Sequence, residues 1–330
     1  MSAIDEHSVT LTGPGGATAK IAFQGATVYS FIPEDGEERF FKSSKSPVTG
    51  PETIRGGGSH HLFSYSYLFL DSSGITNYQS CLLNIGVPIV FPVFGPAPKE
   101  PPFDKLVQHG FARSVRWNLQ NHGGDPAVAI FTLDPTREIK HLYEPEFKLK
   151  YTVTVSAGDV LECCLEVLNP PTSKSDLSFQ ALFHNYLRLP EGTLPSAVTI
   201  EDSLKGLSYK DKVLNHRQDT EQRSTFSFQG ETDRVYANAP QSFVATYGNS
   251  QQGIKIETTN LGDLVTWNPA EEKSASMADM QEQGWKRFIC LEPGHVSNFC
   301  HLAPGKTWVG AQKIIALSAR LALPANNAAL

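Results

Sequence analysis

Apolar and polar positions alternate with a period of two along much of the chain. Phe147, Leu149, Tyr151, Val153 and Val155 alternate with Lys148, Lys150, Thr152 and Thr154, the pattern of a strand with one wet face. Residues 156–159 (Ser-Ala-Gly-Asp) read as a turn, and Val160 to Leu168 as the hairpin partner. Near the start, Ala19, Ile21 and Phe23 alternate with Lys20 and Ala22; residues 26–31 follow Gly25 as the next strand, and residues 309–317 read as a late one. Helical stretches are few, the best being a short one within 270–282. The 26 glycines and 22 prolines are spread throughout, as many turns require. No repeat, linker or break in composition marks a boundary. Although 330 residues suffice for two ordinary domains, the pattern predicts an all-β fold, one large antiparallel sandwich over residues 1–330.

Composition narrows the partners. The chain is 40% apolar, enough for a sizeable core, and its formal net charge is −6. A mildly acidic chain is not steered toward nucleic acid or an anionic membrane, so any anion it binds must be held by local arginines against the global charge. The first residues lack a basic region followed by an apolar run, and no stretch is long enough to span a bilayer. The five cysteines, Cys81, Cys163, Cys164, Cys290 and Cys300, form no CxxC pair, and the adjacent Cys163 and Cys164 point to opposite faces of a strand. The expectation is a cytoplasmic monomer with reduced, partly buried thiols.

Three segments could carry chemistry. Gln108, His109 and Arg113 fall within six positions; on a strand His109, Phe111 and Arg113 would share a face and line a polar pocket, while the plainer alternative is a surface turn with a solvated arginine. His184 ends the apolar stretch 179–183 and reads either as a satisfied core histidine or as a proton donor. Glu292 closes the apolar run 288–291 before Pro293-Gly294, which reads as a turn. A carboxylate there is satisfied by turn amides, or is partly buried with a raised pKa suited to a general base. Metal signals are weak: His60 and His61 are adjacent, and Cys290 and Cys300 lack zinc-type spacing. Gly305-Lys306-Thr307 resembles the end of a phosphate loop, but Cys300 stands where its first glycine belongs.

Taken in order, Gln108-His109-Gly110-Phe111-Ala112-Arg113, Phe183-His184-Asn185-Tyr186-Leu187-Arg188 and Leu291-Glu292-Pro293-Gly294 resemble the motifs of the aldose 1-epimerase superfamily, most closely its hexose-6-phosphate branch. Residues 88–95, 209–212, 231–236, 265–269 and 302–305 support the resemblance, which spans nearly the whole chain. It implies a β-supersandwich of the galactose-mutarotase type, with no metal or cofactor, acting on a small-molecule sugar phosphate. It implies Glu292 as the base that takes the C1 hydroxyl proton and His184 as the acid that protonates the ring oxygen. Ring opening, rotation about C1–C2 and reclosure then give the other anomer. Arg55 and Arg113 match phosphate-binding arginines, Gln108 and Asp233 match other substrate contacts, and His109 matches a position lining the sugar site. A mutarotase of neutral aldoses and a non-catalytic carbohydrate-binding protein on the same scaffold are the alternatives.

The sequence departs from that branch at one place. Its arginine motif normally runs unbroken into a Val-Pro segment, whereas here Ile54-Arg55-Gly56-Gly57 is parted from Val87-Pro88 by residues 58–86. The insert is apolar, including Leu62, Phe63, Tyr65, Tyr67, Leu68, Phe69 and Leu70, and lacks Lys and Arg. Two readings stand: an unspliced intron, or a true insertion folding as an extra hairpin. Transcript sequencing separates them.

Overall fold

Paired strands make up most of the regular structure among the described residues. The computed structural model describes residues 3–46, 66–71, 74–79, 85–120, 124–248 and 252–318. Among these, two large antiparallel sheets dominate. The nine-stranded sheet runs, edge to edge, Thr225–Phe226, Val198–Glu201, Ser242–Tyr247, Gly253–Thr259, Thr307–Leu317, Val160–Leu168, Lys148–Ser156, Val128–Leu133 and Asn118–Gln120. The eight-stranded sheet runs Arg217–Thr220, Ser208–Asp211, Thr232–Ala237, Asp263–Asn268, Phe288–Leu302, Leu177–Phe183 and Ile89–Val90, with Tyr186–Arg188 added alongside Phe288–Leu302. A four-stranded meander, Ala3–Ile4 to Val28–Ile32, precedes them. The fold is that of an all-β sandwich, as the period-two pattern predicts.

The predicted hairpin forms in register: Lys148 pairs with Leu168 and Ser156 with Val160. Its apolar residues all point one way, so Leu149, Tyr151, Val153 and Val155 are buried while the lysines and threonines between them keep contact with water. The two large sheets meet through such faces. Tyr151 of one packs on Phe183 of the other at 6.1 Å between ring centroids, and Trp308 meets Phe179 edge-on at 5.5 Å. Fully burying a side chain of this kind contributes about 1.5–3 kcal/mol, and this core continues through both sheets and the meander.

One sequence expectation holds and two change. The short helix expected within 270–282 is six residues, Ala270–Ala275. Ser274 and Ser276 donate their hydroxyls to the carbonyls of Glu271 and Lys273, and such side-chain bonds compete with helix continuation. Pro293-Gly294 makes no turn; both residues lie inside the fifteen-residue strand Phe288–Leu302. Glycine is needed there because a Cβ would stand 2.8 Å from Leu182 Cβ and 2.9 Å from the Ala181 carbonyl oxygen. Residues 107–110 form a turn, and Ala112–Ser114 a short 3₁₀ helix, rather than a strand. His109 and Gly110 both take positive φ, and Phe111 and Ala112 donate their N–H groups to the Phe91 carbonyl.

Part of the insert is described. The backbone of Ser66–Asp71 pairs with Gly74–Gln79 as a hairpin that joins no other described strand. The last two residues assigned to the insert belong to the framework instead. Ile85 is fully buried, and Gly86 donates to the Phe41 carbonyl while accepting from Tyr186 N–H. A Cβ on Gly86 would stand 1.9 Å from the Val28 carbonyl oxygen, so the close approach requires glycine.

Candidate active site

Strand alternation builds the site on the face of the eight-stranded sheet opposite the core. Along Phe288–Leu302, Ile289 and Leu291 enter the core between the sheets, so Cys290 and Glu292 point the other way. On the neighbouring strand Leu264 joins the core while Val265 and Trp267 share the face of Glu292, which pairs with Val265. From the other side, Phe179, Ala181 and Phe183 are core residues, and His184 follows in the opposite sense. Asp233 comes from the strand Thr232–Ala237, where it pairs with Trp267.

The result brings His184 and Glu292 together, with His184 Nδ1 3.5 Å from Glu292 Oε1. They are 7% and 1% exposed, and neither His184 Nδ1 nor either Glu292 oxygen has a hydrogen-bond partner. A buried carboxyl without partners costs several kcal/mol in ionised form, so it persists only where something else uses it. The imidazole is fixed by aromatic rings. It stacks on Tyr186 at 4.7 Å with the planes 9° apart and meets Trp267 and His109 edge-on at 5.9 and 5.8 Å. Behind the pair, Asn185 donates to the Leu291 carbonyl at 2.9 Å and exchanges amide hydrogen bonds with Gln312 at 2.8 and 2.9 Å. That locks the backbone next to His184 against the backbone next to Glu292.

The other sequence candidates divide. His109 is buried, accepts from Gly95 N–H through Nδ1 at 3.2 Å and faces the Phe94 ring at 5.3 Å. The segment is thus the turn of the plainer alternative, but His109 is buried in it and Arg113 is half-buried rather than solvated. Gln108 is exposed, with Nε2 3.2 Å from His109 Nε2, and its carbonyl accepts from the Arg113 guanidinium at 3.1 Å. Arg113 is half-buried and acts on the charges of His184, His109 and Glu292. Asp233 is partly buried and 3.2 Å from Lys212 Nζ. Arg55 lies outside the described residues.

Lys212, Tyr186 and Trp267 complete the site without having been singled out in the sequence. The Lys212 ammonium sits 4.4 Å from the centre of the Phe94 ring, and its backbone N–H donates to the Asp233 carbonyl. A lysine closing the charged run Tyr209-Lys210-Asp211-Lys212 looks like ordinary surface; only the pairing of distant strands sets it beside the site. For Tyr186 and Trp267 a signal was available, because both lie in segments that carry the family resemblance, 183–188 and 265–269.

Electrostatics follow from burial and the two cations. Desolvation, then Arg113 and Lys212, push His184 down to about 3. Desolvation, then the negative charge of Asp233, push Glu292 well above the usual carboxylate range, against Lys212 and Arg113. His109 is held well below its ordinary value by burial, and then by Arg113, His184 and Lys212. Burial thus favours a protonated Glu292 beside a neutral His184. Cys290 supplies the remaining donor: His184, Cys290 and Glu292 each offer a ligand-type atom within 4.8 Å of the others, the one metal-ligating cluster among the described residues.

A buried imidazole–carboxyl pair on the outer face of a β sandwich is a candidate acid–base site. A sequence model of the aldose 1-epimerase family matches residues 83–314, and the chain belongs to that family. It is 28% identical over 95% of its length to a protein of Cenchrus ciliaris named "Putative glucose-6-phosphate 1-epimerase", covering 84% of that protein. An Escherichia coli protein of the same name is 26% identical, with 89% of this chain and 85% of the relative covered. The fold matches the crystal structure of "a putative mutarotase (YeaD)" from Salmonella typhimurium with a TM-score of 0.73 at 24% identity, covering 96% and 93% of the two chains. It also matches a galactose mutarotase related enzyme from Lactobacillus acidophilus, with a TM-score of 0.67 at 15% identity and 97% of each chain covered.

Proposed function

We propose that the protein interconverts the α and β anomers of hexose 6-phosphates, chiefly glucose 6-phosphate, with Glu292 as base and His184 as acid. The carrying observation is the pair itself: an imidazole and a carboxyl 3.5 Å apart, buried, and lacking partners on three atoms. A cyclic sugar offers what those atoms lack, a C1 hydroxyl that donates and a ring oxygen that accepts. Glu292 takes the hydroxyl proton, His184 gives one to the ring oxygen, and the C1–O5 bond breaks to leave an open-chain aldehyde. At that point Glu292 is protonated and His184 neutral, the arrangement that burial favours. Rotation about C1–C2 and return of both protons close the ring as the other anomer. General acid–base catalysis of this kind supplies about 10²–10⁴-fold.

The choice of a phosphorylated sugar rests on Arg113 and Lys212, whose charges reach both catalytic groups. A phosphate dianion held by them would offset the positive field that opposes protonation of His184, coupling phosphate recognition to the acid step. Arg55 is assigned to the same phosphate on the motif match, and Gln108, His109 and Asp233 to the sugar. The protein is further proposed to work as a cytoplasmic monomer, in keeping with the absence, among the described residues, of any helix long and apolar enough to cross a membrane. Polarimetry from pure α-glucose 6-phosphate and pure α-glucose tests the reading. The 6-phosphate is expected to relax faster than in buffer and glucose much less so; equal acceleration of both removes the phosphate assignment, and none of either removes the function.

A further inference from the structure

The acid–base pair has a third neighbour that anomer interconversion leaves idle. Cys290 lies two residues before Glu292 on the same strand and faces the same way, toward His184. Its thiol is fully buried, with a pKa raised by desolvation and then by the nearby charges of Glu292 and Asp233. No described residue forms a disulfide with it. Sulfur, nitrogen and oxygen donors therefore converge within 4.8 Å, and three of the atoms at that point, His184 Nδ1 and both Glu292 oxygens, have no hydrogen-bond partner.

We propose that His184, Cys290 and Glu292 form a reversible site for a borderline-soft divalent cation, zinc fitting best, and that its occupation shuts off the enzyme by capturing the acid and the base together. This inference rests on the proposed function for its inhibitory half and on the donor geometry alone for its binding half.

Zinc bonds thiolate at about 2.3 Å and imidazole or carboxylate at about 2.0–2.2 Å. Around a tetrahedral centre such donors stand roughly 3.4 Å apart. His184 Nδ1 and Glu292 Oε1 already stand at 3.5 Å, and the Cys290 sulfur, within 4.8 Å of a donor atom of each, must close in for all three to bind. Three protein ligands leave the fourth position for a water or hydroxide. The mix of donors favours zinc over magnesium or calcium, which prefer oxygen alone. Arg113 and Lys212 oppose a cation here and Asp233 favours one, so the site is expected to be reversible rather than structural. Binding must displace the protons of Cys290 and Glu292, so zinc is expected to bind more tightly as pH rises, up to about tenfold per pH unit for each proton released.

The test uses the full chain, zinc, EDTA and cobalt(II) as a spectroscopic substitute. Zinc is expected to slow anomer exchange of glucose 6-phosphate about tenfold or more at low-micromolar concentration, with EDTA restoring the rate. Cys290→Ser and Cys290→Ala are expected to keep the zinc-free rate within about threefold and to raise the half-inhibiting zinc concentration by about 100-fold. Cobalt(II) is expected to give a near-ultraviolet sulfur-to-metal absorption band in the parent chain and none in either variant. The proposal is overturned if zinc inhibits the variants as strongly as the parent, or if the parent shows no such band. A chain that binds cobalt through Cys290 yet does not interconvert anomers sinks the proposed function and leaves the metal site; an active chain that zinc does not slow, with no band, does the reverse.

Discussion

Replacing Glu292 by Gln separates the cost of the carboxyl from its use. Glu292 is 1% exposed with neither oxygen partnered, and burial raises its pKa far above the unfolded value of 4.5. The folded chain therefore holds a proton that the unfolded chain loses as pH rises through 4.5. Where the unfolded state binds fewer protons, stability falls with increasing pH, by about 1.4 kcal/mol per unit for one proton. His184 acts oppositely: its folded value of about 3 lies below the unfolded 6.5, so stability rises with pH between those values and is level above 6.5. The two slopes cancel between about pH 4.5 and 6.5 in the parent and hide each other. Glutamine, similar in size and uncharged, removes only the Glu292 slope. The variant is expected to gain on the parent by about 1.4 kcal/mol for each pH unit above 4.5, levelling off once the folded carboxyl ionises. Urea unfolding of both proteins at pH 5, 6 and 7 (set points spanning about 2 units) measures the gap. A gap that stays flat across that range would mean that Glu292 is solvated or paired in the folded protein, and the reasoning would fail.

Other substitutions probe separate parts of the site. His184→Asn is expected to lower the anomer exchange rate by about 10²–10⁴-fold while the chain still unfolds cooperatively, read by polarimetry and urea titration; a rate within about threefold of the parent would remove His184 as the acid. Lys212→Met is expected to raise KM for glucose 6-phosphate by about 10- to 100-fold, the worth of one charge-assisted hydrogen bond, with a much smaller change in KM for unphosphorylated glucose; equal rises in KM for both sugars would remove Lys212 from the phosphate site. Gly294→Ala is expected to cost about 1–3 kcal/mol, because its Cβ would press on Leu182 and the Ala181 carbonyl; unchanged urea stability would mean that the two strands can part there.

Much of this architecture was legible in period-two patterning, because a one-residue slip would turn a whole apolar face outward. The hairpin Lys148–Ser156 and Val160–Leu168 is the plainest case. What escaped was decided by contacts between distant segments. Pro293-Gly294 carries the local signal of a turn, yet the strand runs on because a glycine lets Leu182 and Ala181 close against it. The Gln108–Arg113 segment alternates like a strand, but carbonyl bonding to Phe91 and two positive-φ residues fold it inward, which buries His109. His184 and Glu292 were found through motif order, since neither position distinguishes a catalytic group from a satisfied one. Their mutual distance, the approach of Lys212 and the convergence of Cys290 come from strand order in the sheet.

Two-dimensional exchange NMR on the anomeric protons of glucose 6-phosphate at equilibrium tests the central claim most directly. The account predicts α-to-β exchange peaks that grow with enzyme concentration and fall at least about 10²-fold, toward the buffer rate, when Glu292→Gln replaces the parent chain. Exchange in the presence of the parent no faster than in buffer, or equally fast with Glu292→Gln, would contradict it.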